Sequence, residues 1–166
     1  MKIYLASDHA GFEMKGAIKE YLMYLEMGYE VVDMGADEFN EYDDYPDFIM
    51  PLARSVAEDS ANKIESFGII FGGSGQGEAM CANRVTGVRA AVFYGQEIPK
   101  DEVNMEGRQS VDSFEIVKLE REHNNANILS LGARFLTVDE AKFASELFLS
   151  TKFSGDERHV RRLSKF

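Results

Sequence analysis

The sequence predicts an α/β domain: a five-stranded parallel sheet covered by helices on both faces, in three layers. Three observations point there. Short apolar runs alternate with longer stretches of helical periodicity, and that alternation calls for crossover helices between parallel strands. The run at residues 67–71 is apolar throughout apart from Gly68, as a strand buried on both faces requires. The notable polar residues then fall just after the runs, where open parallel sheets bind ligands.

Residues 3–6 are the first strand, ended by Ser7-Asp8-His9. Phe12, Met14, Ile18, Leu22 and Leu25 mark the buried stripe of the following helix, and Gly28 stops it. Residues 29–34 are a second strand. Asp43-Asp44-Tyr45-Pro46 makes a turn, with Pro46 suited to the first turn of a helix continued by Phe48, Leu52 and Val56. The third strand, 67–71, runs directly into Gly72-Gly73-Ser74-Gly75-Gln76-Gly77, and a helix starts near Gly77 and covers residues 78–84. Residues 88–94 are the fourth strand and 128–131 the fifth. A helix over about 138–149 follows, then a short basic helix over 156–163. One stretch fits poorly. Residues 96–118 carry six acids against three bases, with no clear periodicity in the first half; they read as a solvated loop leading into a helix near Asp112. No repeat or linker divides the chain, so residues 1–166 read as a single domain, with 96–118 an acidic inserted segment and 152–166 a basic C-terminal helical stretch.

Composition narrows the function classes. A chain of 166 residues can bury a real core. Its formal net charge of −11 argues against nucleic acid as a partner. Cys81 is the only cysteine, which excludes an internal disulfide and a paired-cysteine zinc site. The three histidines, His9, His123 and His159, show no metal-ligand spacing, so no metal is expected. No apolar run has a membrane-spanning length, and the N-terminal apolar stretch is short and interrupted by Asp8 and His9. The expectation is a reduced, cytoplasmic protein without membrane association.

A glycine run between strand and helix lets backbone N–H groups converge on negative charge, whether a phosphate or a developing enediolate. A tight strand-to-helix turn explains the same glycines. The run lacks the Gly-Lys-Ser/Thr of a nucleotide phosphate loop. Glu78 follows the last glycine. It is either a partner for the helix dipole or a carboxylate placed as a general base. Asp8 is either a helix cap or part of a site with His9. Arg158 and Arg162 stand four apart, on one side of a helix, and suit a phosphate dianion; a solvated tail offsetting an acidic body explains them equally. Arg134 is a third candidate phosphate contact. Cys81 reads as a small buried hydrophobe.

Together these segments resemble the ribose-5-phosphate isomerase B family, which includes the galactose-6-phosphate isomerase subunits. The resemblance runs in order through Ser7-Asp8-His9-Ala10-Gly11-Phe12 with Lys15, Asp44-Tyr45-Pro46, Gly72-Gly73-Ser74-Gly75-Gln76-Gly77-Glu78 with Ala82-Asn83-Arg84, Gly87-Val88-Arg89-Ala90, Arg121-Glu122-His123-Asn124-Asn125-Ala126-Asn127, Gly132-Ala133-Arg134, and Arg158-His159 with Arg162. It implies a Rossmann-like domain that dimerises, in some members further into tetramers, with active sites at the subunit interface and no metal or cofactor. Some members carry a catalytic cysteine where this chain has Gly72; others use a glutamate at the position of Glu78, so this chain resembles the glutamate branch.

The carried-over mechanism gives His123 the opening of the furanose ring, with Asp8 near the ring oxygen or hydroxyls. Glu78 then moves a proton between C2 and C1 through a cis-enediolate, which Ser74 and the N–H groups around Gly73, Gly75 and Gly77 stabilise. His9, Arg134, Arg158 and Arg162 hold the phosphate, some of them from a partner subunit. Tyr45 and Asn124 line the sugar pocket. The implied reaction is interconversion of ribose 5-phosphate and ribulose 5-phosphate. A hexose 6-phosphate such as galactose or allose 6-phosphate is the alternative, because the 96–118 segment departs from the family pattern just before His123. A phosphosugar-binding module without catalysis is the third reading.

Overall fold

The computed structural model describes residues 1–25 and 27–165; Glu26 lies outside it, as does Phe166, the last residue of the expected basic stretch. Five parallel strands form one sheet: β1 (Lys2–Ser7), β2 (Glu30–Asp33), β3 (Ser66–Gly72), β4 (Ala90–Phe93) and β5 (Ile128–Gly132). Their order is β2-β1-β3-β5-β4. The helices are α1 (Phe12–Tyr24), α2 (Pro46–Ala61), α3 (Gln76–Ala82), α4 (Glu115–Glu122), α5 (Val138–Ser150) and α6 (Glu157–Leu163), with a 3₁₀ turn at His9–Gly11. None of the helices described is long and apolar enough to cross a membrane.

The period-two alternation of the strands divides the core. Ile3 and Leu5 of β1 and Phe67, Ile69 and Phe71 of β3 face one side, where Ile18, Leu22, Val117, Ala144 and Phe148 of α1, α4 and α5 complete a cluster. Tyr4, Ala6 and Ile70 face the other, against Ile49, Leu52 and Val56 of α2 and Ala82 of α3. Both faces are covered, so the three-layer prediction holds. Pro46 opens α2, and Thr137 caps α5 in a reciprocal box with Glu140.

Three expectations shift. The fourth strand is four residues long, because side chains take over the pairing at its start: Asn127 Oδ1 accepts from Arg89 N–H at 2.7 Å, and Asn83 bonds both backbone groups of Ala90 at 2.8 and 2.9 Å. The helix expected near Asp112 begins at Glu115, with Asp112 Oδ1 accepting from Phe114 N–H ahead of it. Cys81 is half-buried rather than buried.

β1 has β2 on one side and β3 on the other, so the chain leaves these neighbouring strands in opposite directions. That reversal opens a crevice beyond their carboxyl ends. Gly11 in the turn after β1 packs directly on the backbone of Phe71, near the end of β3, which holds the loops after both strands together.

Candidate active site

The glycine run leaves β3 and enters α3 through Gly75, whose φ of 75° lies in the left-handed region that glycine adopts without strain. Ser130 of β5 secures the turn by donating to the Gly75 carbonyl at 2.6 Å. Among the described residues, the N–H groups of Gly73, Ser74, Gly75 and Gly77 have no protein acceptor. They are available to a negatively charged ligand.

Glu78 sits in the first turn of α3, yet its side chain is only 5% exposed. It folds back against β3. A β-carbon built on Gly72 would overlap the Glu78 carboxylate, so the absent side chain at 72 is the space the carboxylate occupies. Burial pushes its pKa above the usual carboxylate range; its own backbone N–H pulls the other way, and the nearby Asp8 charge adds to the rise. A desolvated carboxylate against a cradle of N–H groups can accept a proton beside a developing oxyanion. Cys81 is poorly fitted to compete: burial and the Glu78 charge raise its pKa, which keeps the thiol protonated.

Asp8 is buried and caps the 3₁₀ turn, its Oδ1 accepting from Ala10 N–H at 2.9 Å and Gly11 N–H at 3.2 Å. Asp8 is thus a helix cap, and the cap also fixes its carboxylate close enough to act on Glu78. His9 is half-buried. Its Nδ1 lies 2.7 Å from Asp43 Oδ1, which also accepts from the His9 backbone N–H at 3.0 Å. This bond sets the ring orientation and leaves Nε2 for a ligand. Asp43 Oδ2 is buried without a protein partner among the described residues. Asp8, His9 and Asp43 each offer a ligand atom within 4.8 Å of the others. Asp8 Oδ1 and His9 Nδ1 are, however, already committed to protein hydrogen bonds, and the remaining atoms suit sugar hydroxyls as well as an ion. Tyr45 stands over Gly77, and the Arg134 guanidinium stands over Gly73. Asp8, His9, Tyr45, the glycine run, Glu78 and Arg134 thus converge at the carboxyl end of the sheet.

His123, Asn124, Arg158 and Arg162 do not join them. His123 follows α4 and precedes β5, at the amino end of the sheet. Gly68 pairs with Ile128 and Gly72 with Gly132, so the strand alone separates the two ends by roughly 13 Å. The amino-end group is itself ordered. His123 stacks on the buried His159 of α6, with ring centroids 4.3 Å apart at 15°, and Arg158 Nε–H donates to His159 Nε2 at 3.2 Å. Burial, His159 and Arg158 lower the His123 pKa, favouring its neutral form. Asn124 and Arg162 are exposed and Arg158 is half-buried.

Sequence reasoning assigned no role to Asp43 or His159. Asp43 was signalled only by its place two residues before Tyr45, and His159 only by its place between Arg158 and Arg162.

The sequence profile described as Ribose/Galactose Isomerase matches residues 3–105 and 109–166. The chain is 37% identical over 163 residues to ribose-5-phosphate isomerase B of Mycolicibacterium paratuberculosis, spanning 98% of this chain and 87% of the relative. The Mycobacterium tuberculosis protein of the same name is 37% identical over 98% of this chain and 86% of its own length. Among solved structures, ribose-5-phosphate isomerase B of Mycoplasma genitalium, with bound ribulose-5-phosphate, superposes with a TM-score of 0.81 at 35% identity, over 99% of this chain and 92% of that one. The Thermotoga maritima enzyme gives 0.78 at 38%, over 99% and 95%.

Proposed function

The chain belongs to the ribose/galactose isomerase family, and from that premise we propose that it interconverts ribose 5-phosphate and ribulose 5-phosphate with Glu78 as the base. The observation that carries this reading is the buried Glu78 carboxylate set in the space left by Gly72, beside N–H groups without protein acceptors. Glu78 takes the proton from C2 of the open aldose as the C1 carbonyl becomes an enediolate oxygen. Ser74 and the loop N–H groups hold that charge. Return of the proton to C1, with the O2 proton passed to O1, leaves the ketose. No redox partner enters the balance.

Ring opening precedes this step. A neutral His123 takes the proton of the anomeric hydroxyl as the C1–O4 bond breaks and delivers it to O4, with Asp8 near the ring oxygen or hydroxyls. His9, Arg134, Arg158 and Arg162 hold the phosphate, and Tyr45 and Asn124 flank the sugar. Because these residues lie at both ends of one sheet, the complete site takes the carboxyl end of one protomer and the amino end of another. A homodimer is the smallest assembly that supplies both, and a tetramer of such dimers would preserve the arrangement. Exposed Met80, Tyr94 and Phe135 beside the glycine run offer apolar surface for that contact. The single, half-buried thiol fits a reduced, cytoplasmic setting.

A coupled assay on ribose 5-phosphate tests the base. Glu78→Gln should lower kcat by about 10³-fold, within the range of a general base, and wild-type turnover in that variant would overturn the assignment. The relatives are named for the pentose; a kcat/KM panel including galactose and allose 6-phosphate tests the hexose alternative.

A further inference from the structure

We infer that Arg108, at the tip of the acidic segment, is a positioning residue for His123, clamping the end of α4 through Glu122. The inference rests on the ring-opening role proposed for His123. Residues 103–108 form a tight turn: Asn104 Oδ1 accepts from Glu106 N–H at 3.2 Å and Arg108 N–H at 2.9 Å, and Val103 N–H donates to the Arg108 carbonyl at 2.9 Å. Gly107 supplies the left-handed residue, at φ 81°. The Arg108 backbone is thereby fixed, and its side chain reaches α4. Nη2 lies 2.8 Å from Glu115 Oε1 and 3.0 Å from Glu122 Oε2.

Glu115 and Glu122 are the first and last residues of α4. They are two turns apart and share one face, so a single guanidinium ties both ends of the helix to the segment. The clamp is built in further. Glu115 is 1% exposed, accepts from Ser110 Oγ at 2.8 Å and lies 3.5 Å from Lys118. The Glu122 carbonyl accepts from Ser154 N–H at 3.1 Å, which joins the end of α4 to the chain leading into α6. His123 is the next residue.

The charges facing the His123 ring are Arg158 and His159 from α6, Glu122 from its own helix and Arg108 from the segment; Asp156, Arg162 and Glu106 act on the stacked His159. Glu122 is the anion that favours a proton on His123, and Arg108 neutralises it. The clamp therefore orients His123 and, by offsetting Glu122, adds to the burial and the His159 and Arg158 charges that favour its neutral form, the form that can take the proton of the anomeric hydroxyl. Residues 106–108 are the stretch at which the family match breaks, so this device belongs to the present chain rather than to the shared pattern.

The test is an NMR titration of the His123 Cε1–H signal, identified by its loss in H123N, with kcat/KM measured in parallel at pH 6 and pH 8. Arg108→Gln leaves Glu122 unopposed and should raise the His123 midpoint by about half a pH unit. The kcat/KM at pH 6 relative to pH 8 should then fall by roughly twofold to threefold. Arg108→Lys should restore both, Glu122→Gln should lower the midpoint, and the double variant R108Q/E122Q should return close to wild type. If removal of Arg108 upsets folding, E122Q and R108K carry the test. Unmoved midpoints in folded R108Q or E122Q would overturn the inference, since a purely structural tie lowers activity without shifting a titration. Midpoints that shift as stated in an enzyme inactive on ribose 5-phosphate would uphold the clamp and overturn the proposed function instead.

Discussion

The substitution Gly72→Ala adds a single methyl group in β3 and bears directly on the base. That methyl would lie 2.6 Å from Glu78 Oε2, against 3.4–4 Å for ordinary contact, with Oε1 and Cδ nearer still. The strand is anchored: the Gly72 carbonyl accepts from Ala133 N–H at 2.8 Å, and Gly72 pairs with Gly132 in the sheet. The carboxylate must therefore be the part that gives way, by at least about 1 Å, and a misplacement of that size costs on the order of 100-fold in rate. This corresponds to about 2.7 kcal/mol in the barrier. Overpacking should cost about 1–3 kcal/mol of stability, which a thermal melt measures separately. The assay is coupled turnover of ribose 5-phosphate, with circular dichroism to confirm the fold. A folded G72A enzyme with wild-type kcat would refute the claim that Gly72 exists to admit the Glu78 carboxylate.

Mixing two inactive variants tests the shared site. E78Q and H123N each spoil a different end, so half of the statistically formed heterodimers' sites are intact and about a quarter of wild-type activity should return; no recovery on subunit exchange would show that one chain supplies both groups. Burial and Asp8 raise the Glu78 pKa, so its ionised, active form is lost as pH falls through a value above the usual carboxylate range. Asp8→Asn should shift that limb of kcat/KM toward lower pH. The raised pKa also means that the stability linked to Glu78 is present at low pH and lost as pH rises through the folded-state value; E78Q, which cannot ionise, should melt above wild type at pH 8. Arg158→Ala and Arg162→Ala should each raise KM by roughly 10-fold or more, with a smaller change in kcat, as expected for charge-assisted contacts made equally in ground and transition states.

Much of the fold was legible because it rests on local rules. The alternation of Ile3 and Leu5 with Tyr4 and Ala6 assigns β1 to a sheet covered on both faces, and Pro46 marks the start of α2. The fourth strand misled because Val88 and Arg89 have strand-like neighbours. The Val88 N–H turns back to the Val85 carbonyl, the Arg89 N–H goes to Asn127, and Asn83 bonds Ala90, the first residue of the strand. The buried Lys15 was seen only as part of a family pattern; its partners, Asp33 at 2.7 Å and the Ala36 carbonyl at 2.6 Å, are the last residue of β2 and a residue of the loop after it.

The site was legible in its residue types and not in its geography. Glu78 follows a glycine run, and nothing local says whether its carboxylate points to solvent along the helix dipole or back onto the strand. Gly72 decides, because a side chain there would exclude the carboxylate. His123 was grouped with Glu78 by the family resemblance, and Arg158 by that resemblance and its fit to a phosphate. The parallel sheet then separates them, since residues that follow strands and residues that precede strands must lie at opposite ends. In the proposed mechanism neither end is idle: one would supply the base and the oxyanion cradle, the other the ring-opening histidine and two arginines. Each end has what the other lacks, and two copies related by a twofold axis would meet that need twice over. Under the proposed shared site, catalysis would require assembly, so a substitution at the Met80–Tyr94–Phe135 surface that leaves both half-sites untouched should still abolish turnover as dilution drives the protein to monomers.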